Sequence, residues 1–154
     1  MNVKEFINQV FLAEYEQVVA QFAYISFALI GLGIEFLGAC LDSHEFGERS
    51  QSTARVQKAI KELFPPAYGL GDIASDLRNG FAHQFRPGMS LELSKRSEAH
   101  GRGWKHLEKT QDGKICLVAE DLYADFTAAC RTVLKKIDNG ELNHDKLKRG
   151  FLRT

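Results

Sequence analysis

The sequence has no surplus charge of either sign: twenty Lys and Arg balance twenty Asp and Glu. A surface that coats duplex nucleic acid non-specifically is clearly basic, so that role is unlikely for the surface as a whole. Cysteine is scarce. Cys40, Cys116 and Cys130 are odd in number, far apart and each set in an apolar run, which argues against a disulfide framework and for reduced, buried thiols. No internal repeat, low-complexity tract or interdomain linker is present. The reading is therefore one domain over residues 1–140, followed by a short basic tail at 141–154. No basic-then-apolar leader with a small-residue cleavage site opens the chain, and a cytoplasmic protein is expected.

What is present is enough for one core. The chain has 154 residues, of which 44% are apolar and 26% charged, an ordinary balance for a globular domain. Charge is segregated along it. Residues 1–77 carry five Lys/Arg against ten Asp/Glu, residues 78–114 eight against four, and residues 131–154 seven against three. A local basic face forms only if folding brings the last two segments together. Residues 22–41 are almost wholly apolar and long enough to span a bilayer. Glu35 within the run, and flanks holding Glu14, Glu16, Asp42 and Glu45 rather than Lys or Arg, favour a helix buried on all sides over a membrane span.

Helical periodicity covers residues 3–20, with Phe6, Ile7, Val10 and Phe11 inward. Ser50, Ser52 or Thr53 is expected to cap a helix carrying Val56, Ile60 and Leu63, which Pro65-Pro66 ends. Asp72 is the expected cap of a short helix with Ile73, Leu77 and Phe81, broken by Pro87-Gly88. From residue 91 to 119 the pattern changes. Leu91 to Ser94 alternates, residues 95–103 read as an exposed loop, and Asp112-Gly113 predicts a hairpin pairing 104–109 with 114–119. A last helix follows from Glu120 or Asp121, with Leu122, Phe126, Ala129, Cys130 and Val133 inward, and Asn139-Gly140 stops it. The predicted fold is mainly α: a bundle of four to five helices with a small β-hairpin insertion at about 91–119.

One stretch carries sharp chemistry: Arg78-Asn79-Gly80-Phe81-Ala82-His83. On a helix Asn79 and His83 share a face, and Arg78 lies further round with a long side chain. An imidazole that titrates near neutrality exchanges protons with a ribose 2′-hydroxyl or a leaving oxygen. A guanidinium offers a planar fork to phosphate oxygens, and an asparagine orients either group. Gly80 offers space for a ligand or a second subunit to approach closely. No metal is needed for such chemistry.

Arg-Asn-x-x-x-His late in a small helical bundle, preceded by a long apolar helix, resembles the HEPN superfamily, whose signature is Arg, four to six residues, then His. The resemblance covers roughly residues 1–86 and 120–138; the insertion departs from the minimal bundle. It implies a metal-independent endoribonuclease leaving a 2′,3′-cyclic phosphate and a 5′-hydroxyl. It also implies a homodimer in which two copies of the motif face one cleft, so that one histidine acts as base and the other as acid. A toxin–antitoxin or defence system, with an antitoxin or nucleotidyltransferase-type partner, belongs to the same reading. Some members are non-catalytic, and the alternative is a nucleotide- or protein-binding homodimeric module.

Further candidates surround the motif. Glu35 needs a partner if buried, and Arg78 is favoured. Arg86, Arg96, Arg102 and Lys105 are expected to guide an RNA backbone, with Trp104 or Phe85 as a base-stacking surface. His100, His106 and Cys116 match no familiar metal-site spacing, and neither metal nor cofactor is expected.

Overall fold

The computed structural model describes residues 1–69 and 73–150. The chain is mainly α-helical with a small parallel β element. It begins with one helical path: α1 (Val3–Phe6), a π-helical segment (Ile7–Glu14) and α2 (Tyr15–Gln21). Asn2 caps the start, its side chain accepting from the Glu5 N–H while the Glu5 carboxylate accepts from the Asn2 N–H. Val3, Ile7, Phe11 and Val19 are buried along this path. At Phe22 the backbone leaves helical geometry (φ −136°, ψ 66°), and the chain turns into α3 (Ala23–Leu41).

α3 is the axis of the molecule. Its apolar run is long enough to cross a membrane by length and composition, yet here it is mostly buried inside the protein. It packs against α4 (Ser52–Leu63), α5 (Ile73–Gln84) and α7 (Ala119–Asp138), and Phe27, Ile30, Ile34, Leu37 and Cys40 are within the core. Small residues set the closeness of this packing. A methyl at Gly38 would collide with the backbone carbonyl of Arg55 on α4, and one at Gly33 with the ring of Phe126 on α7. The α3 glycines at 33 and 38 thus serve close helix packing.

The other helix limits follow local chemistry. α4 stops at Leu63, before Pro65-Pro66, which cannot continue an α-helical ladder. α7 buries Leu122, Phe126, Ala129, Cys130 and Val133 as one stripe and ends before Gly140, whose φ is +72°. No side chain caps α4: Gln51 holds the N-cap position, and Ser52 has turned its hydroxyl to another task described below. The expected cap Asp72 lies outside the described residues.

The insertion differs from the expected hairpin. β1 (Leu91–Ser94) and β2 (Ile115–Val118) pair in parallel, Leu91 opposite Ile115 and Ser94 opposite Val118. The Asp112-Gly113 turn does form, with Gly113 at φ +76° and the Thr110 N–H donating to the Lys114 carbonyl at 2.8 Å. Its antiparallel ladder is reduced to one bridge, Lys109 with Ile115. A parallel pair requires a crossover, and residues 95–114 supply it. That crossover includes α6 (Arg96–Gly101) where an exposed loop was expected, because Ala99 buries against Cys116, Val118 and Trp104.

The tail also docks. α8 (Asp145–Lys148) buries Leu147 and Lys146. The Lys146 ammonium donates to the carbonyls of Ala39 and His44 and to the Asp42 carboxylate, at the C-terminal end of α3 where the helix dipole attracts a cation.

Candidate functional site

The motif lies on α5, whose residues Ile73, Ala74, Leu77 and Phe81 face the core. Successive residues turn by about 100°, so Arg78 and His83 point roughly 140° apart while Asn79 and His83 share a face. The structure divides them accordingly. Asn79 and His83 line a pocket of about 550 Å³, together with Asp76, Gly80, Gln84, Arg86, Met89, Leu91 and Lys114. Arg78 opens instead into a groove of about 520 Å³, with Glu35, Leu32, Phe36, Phe46 and Arg55.

Arg78 is held firmly. Its Nε donates to the Glu35 carboxylate at 2.6 Å, Nη1 to the Asn79 side-chain Oδ1 at 3.1 Å and Nη2 to the Ser52 hydroxyl at 3.2 Å. The Ser52 hydroxyl in turn donates to the other oxygen of Glu35 at 2.6 Å. Both members of the ion pair are only 20% exposed. The pairing expected for the lone carboxylate of α3 is therefore present, and three of the five guanidinium N–H donors are used within the chain. Asn79 completes the row by donating to the Ser75 hydroxyl at 3.0 Å.

His83 is the opposite case. Its imidazole is exposed and makes no hydrogen bond among the described residues. The space beside Gly80 is not open to a ligand or second subunit: a methyl there would strike the carbonyl of Arg86 and the backbone of Pro87 and Gly88. The glycine instead lets loop 86–88 fold back over α5, with the Gly88 N–H donating to the Asp76 carbonyl at 3.2 Å. This fold-back forms one wall of the His83 pocket.

The remaining candidates scatter. Arg86 lines the His83 pocket, its Nε donating to Gln84 at 2.7 Å. Arg96 is engaged by Asp121 at 2.7 Å, and Lys105 lies 3.9 Å from Glu108. The Arg102 guanidinium lies 4.7 Å from the centre of the Trp104 ring. These three line neither the His83 pocket nor the Arg78 groove. Phe85 is 60% exposed and holds a left-handed conformation, φ +54°, at the end of α5. Its carbonyl accepts from the Tyr24 hydroxyl at 3.0 Å.

The three residues considered for a metal are engaged elsewhere or apart. His106 Nδ1 accepts from the Val118 N–H at 3.0 Å, so its proton is on Nε2, facing the Tyr68 hydroxyl at 2.8 Å. Tyr68 donates to Asp125 at 2.7 Å. Burial holds the His106 imidazole below its usual range, against the pull of Asp125 and Asp121. Cys116 is a buried thiol pushed up by burial, and His100 is exposed on α6. Among the described residues no group of three His, Cys, Asp or Glu side chains is placed to hold a metal ion.

Sequence reasoning missed Ser52, Ser75, Asp76 and Lys114. Ser52 was read as a helix cap, and Lys114 enters the pocket from the insertion, more than thirty residues after His83, where no spacing rule points to it. Comparison of the chain with protein-family models, with curated proteins and with solved structures returns no match.

Proposed function

We propose that the chain is a HEPN-like, metal-independent endoribonuclease of the cytoplasm that acts as a homodimer. The observation that carries this reading is the state of His83: an exposed, unbonded imidazole on the wall of a pocket that also holds two amides, one carboxylate and two cations. In the reaction a base removes the 2′-hydroxyl proton, O2′ bonds to phosphorus, the P–O5′ bond breaks and an acid protonates the departing O5′. The products are a 2′,3′-cyclic phosphate and a 5′-hydroxyl. In an in-line displacement the attacking O2′ and the departing O5′ lie on opposite sides of phosphorus, out of reach of one imidazole, so His83 of a second copy supplies the other role.

Arg78 is a positioning residue in this reading, since its guanidinium faces the groove away from His83. Glu35 and Ser52 fix its guanidinium, and Asn79 links it to the His83 face. A second copy is supported by α3, where Ile25 and Leu32 are 41% and 49% exposed seven residues apart and Leu32 lines the Arg78 groove. The toxin or defence setting, with an antitoxin or nucleotidyltransferase-type partner, rests on the sequence resemblance alone.

The test is cleavage of a single-stranded RNA in chelator, with product ends identified. His83→Ala abolishes cleavage and leaves melting unchanged, since the side chain is exposed and unbonded. Cleavage that survives in His83→Ala, or that needs added metal, overturns the reading. The engagement of three of Arg78's donors by its own chain favours a second reading, a non-catalytic nucleotide- or protein-binding homodimer. Nucleotide or partner binding without product supports that one.

A further inference from the structure

We propose that the pocket lined by His83 is a phosphate-ester site whose cations are Lys114 and Arg86, the first supplied by the β insertion. This rests on the nuclease reading for its setting but not for its geometry. The cation expected from the sequence, Arg78, opens into a different groove and has spent three donors on Glu35, Asn79 and Ser52. The two cations that share the walls with His83 are free to take a ligand. Arg86 uses only Nε, on Gln84, and its two terminal nitrogens make no hydrogen bond among the described residues. Lys114 meets Glu92 at 3.5 Å with the two side chains 42% and 31% exposed, a contact of the kind that contributes at most about 1 kcal/mol.

The fold places Lys114 deliberately close. The Asp112-Gly113 turn returns the chain, the Lys114 carbonyl accepts from Thr110, and the next N–H, of Ile115, donates to the Ser90 carbonyl at 2.8 Å. Lys114 is thereby tied to the loop that carries Arg86. Asp76, on the same pocket, accepts from the Ser90 hydroxyl. Its carboxylate accepts from a hydroxyl, so a sugar hydroxyl of a phosphate ester finds a further acceptor beside the cations. A volume of about 550 Å³ lies within the range of small-ligand sites.

The imidazole resonances of His83 in the full chain report occupancy. Inorganic phosphate and uridine 3′-monophosphate, each added at constant ionic strength, are expected to shift them, the nucleotide at lower concentration. Lys114→Gln and Arg86→Gln each raise the half-saturating concentration about tenfold, the loss of one charge-assisted hydrogen bond. Lys105→Gln removes the same charge outside the pocket and leaves it unchanged. Absence of a shift, an equal loss in Lys105→Gln, or an unaltered response in both Lys114→Gln and Arg86→Gln overturns the proposal. RNA left uncut by a protein whose His83 responds in this way counts against the nuclease reading alone. Wild-type cleavage by a Lys114→Gln protein that has lost no phosphate response counts against the site alone.

Discussion

The Glu35 carboxylate and the Arg78 guanidinium meet at 2.6 Å across the contact between α3 and α5, and Ser52 bonds to both. A half-buried pair of this kind costs more to break than to replace. A double-mutant cycle with Glu35→Gln and Arg78→Met, read by urea unfolding, is expected to give a coupling of about 1–2 kcal/mol. A large loss in Glu35→Gln alone, with no coupling, would show that the carboxylate is stabilised by something other than Arg78.

The exposed stripe of α3 predicts self-association. Leu32→Asp places a charge on the apolar surface beside the Arg78 groove and is expected to convert a dimer to a monomer in sedimentation while melting stays within a few degrees. A wild-type protein that sediments as a monomer at all concentrations defeats the composite-cleft mechanism.

Phe85 is held in a conformation that suits glycine. Phe85→Gly is expected to leave stability within about 1 kcal/mol of wild type, because relief of left-handed strain offsets glycine's extra freedom in the unfolded chain. If the ring stacks a base, the same change weakens single-stranded RNA binding by about 1–3 kcal/mol, and an abasic site opposite it removes the difference. Equal affinity of both proteins for intact RNA rules the stacking role out.

Asp42 sits between the buried cations Arg55 and Lys146. Burial raises its carboxyl pKa, but the hydrogen bonds from Arg55 and Lys146 outweigh this and hold it below the usual carboxylate range. Such a depressed group stabilises the fold above its unfolded pKa of about 3.9, and that stability is lost as pH falls further. Asp42→Asn is therefore expected to flatten the acid limb of the pH–stability curve. Lys146→Met costs about 3 kcal/mol at neutral pH and frees the tail to proteolysis.

His106 gives a second acid limb of the same sign, at higher pH. Its folded pKa is lowered, so the unfolded chain takes up a proton first, and stability declines as pH drops below about 6.5. His106→Asn is expected to be less stable than wild type at pH 8 and to lose less on moving to pH 5.5. A wild-type stability flat over that interval contradicts the neutral imidazole assigned from Val118 and Tyr68.

The long helices were legible because each carries its own periodicity: the unbroken apolar run of α3 and the stripe from Leu122 to Val133. Glu35 and Arg78 were legible by a different route, since a carboxylate in an apolar helix must find a cation. The parallel pairing of β1 with β2 was not, because its register joins residues 24 apart, and the Asp112-Gly113 turn between them announces an antiparallel hairpin instead. The separation of Arg78 from His83 follows from helical rotation, but the two pockets they face are built by α3, α4 and the insertion, which leave no mark in the motif. Lys114 was hidden for the same reason.

Gly38 acts as a mechanical constraint on the helix packed against it. α4 lies directly on it, and α4 carries Ser52 near one end and Arg55 one turn later. A single added methyl would push that helix outward, drawing Ser52 off the Glu35–Arg78 pair and Arg55 off Asp42 together. One missing carbon in the last turn of α3 thus keeps both the motif arginine and the chain's C-terminal clasp in register.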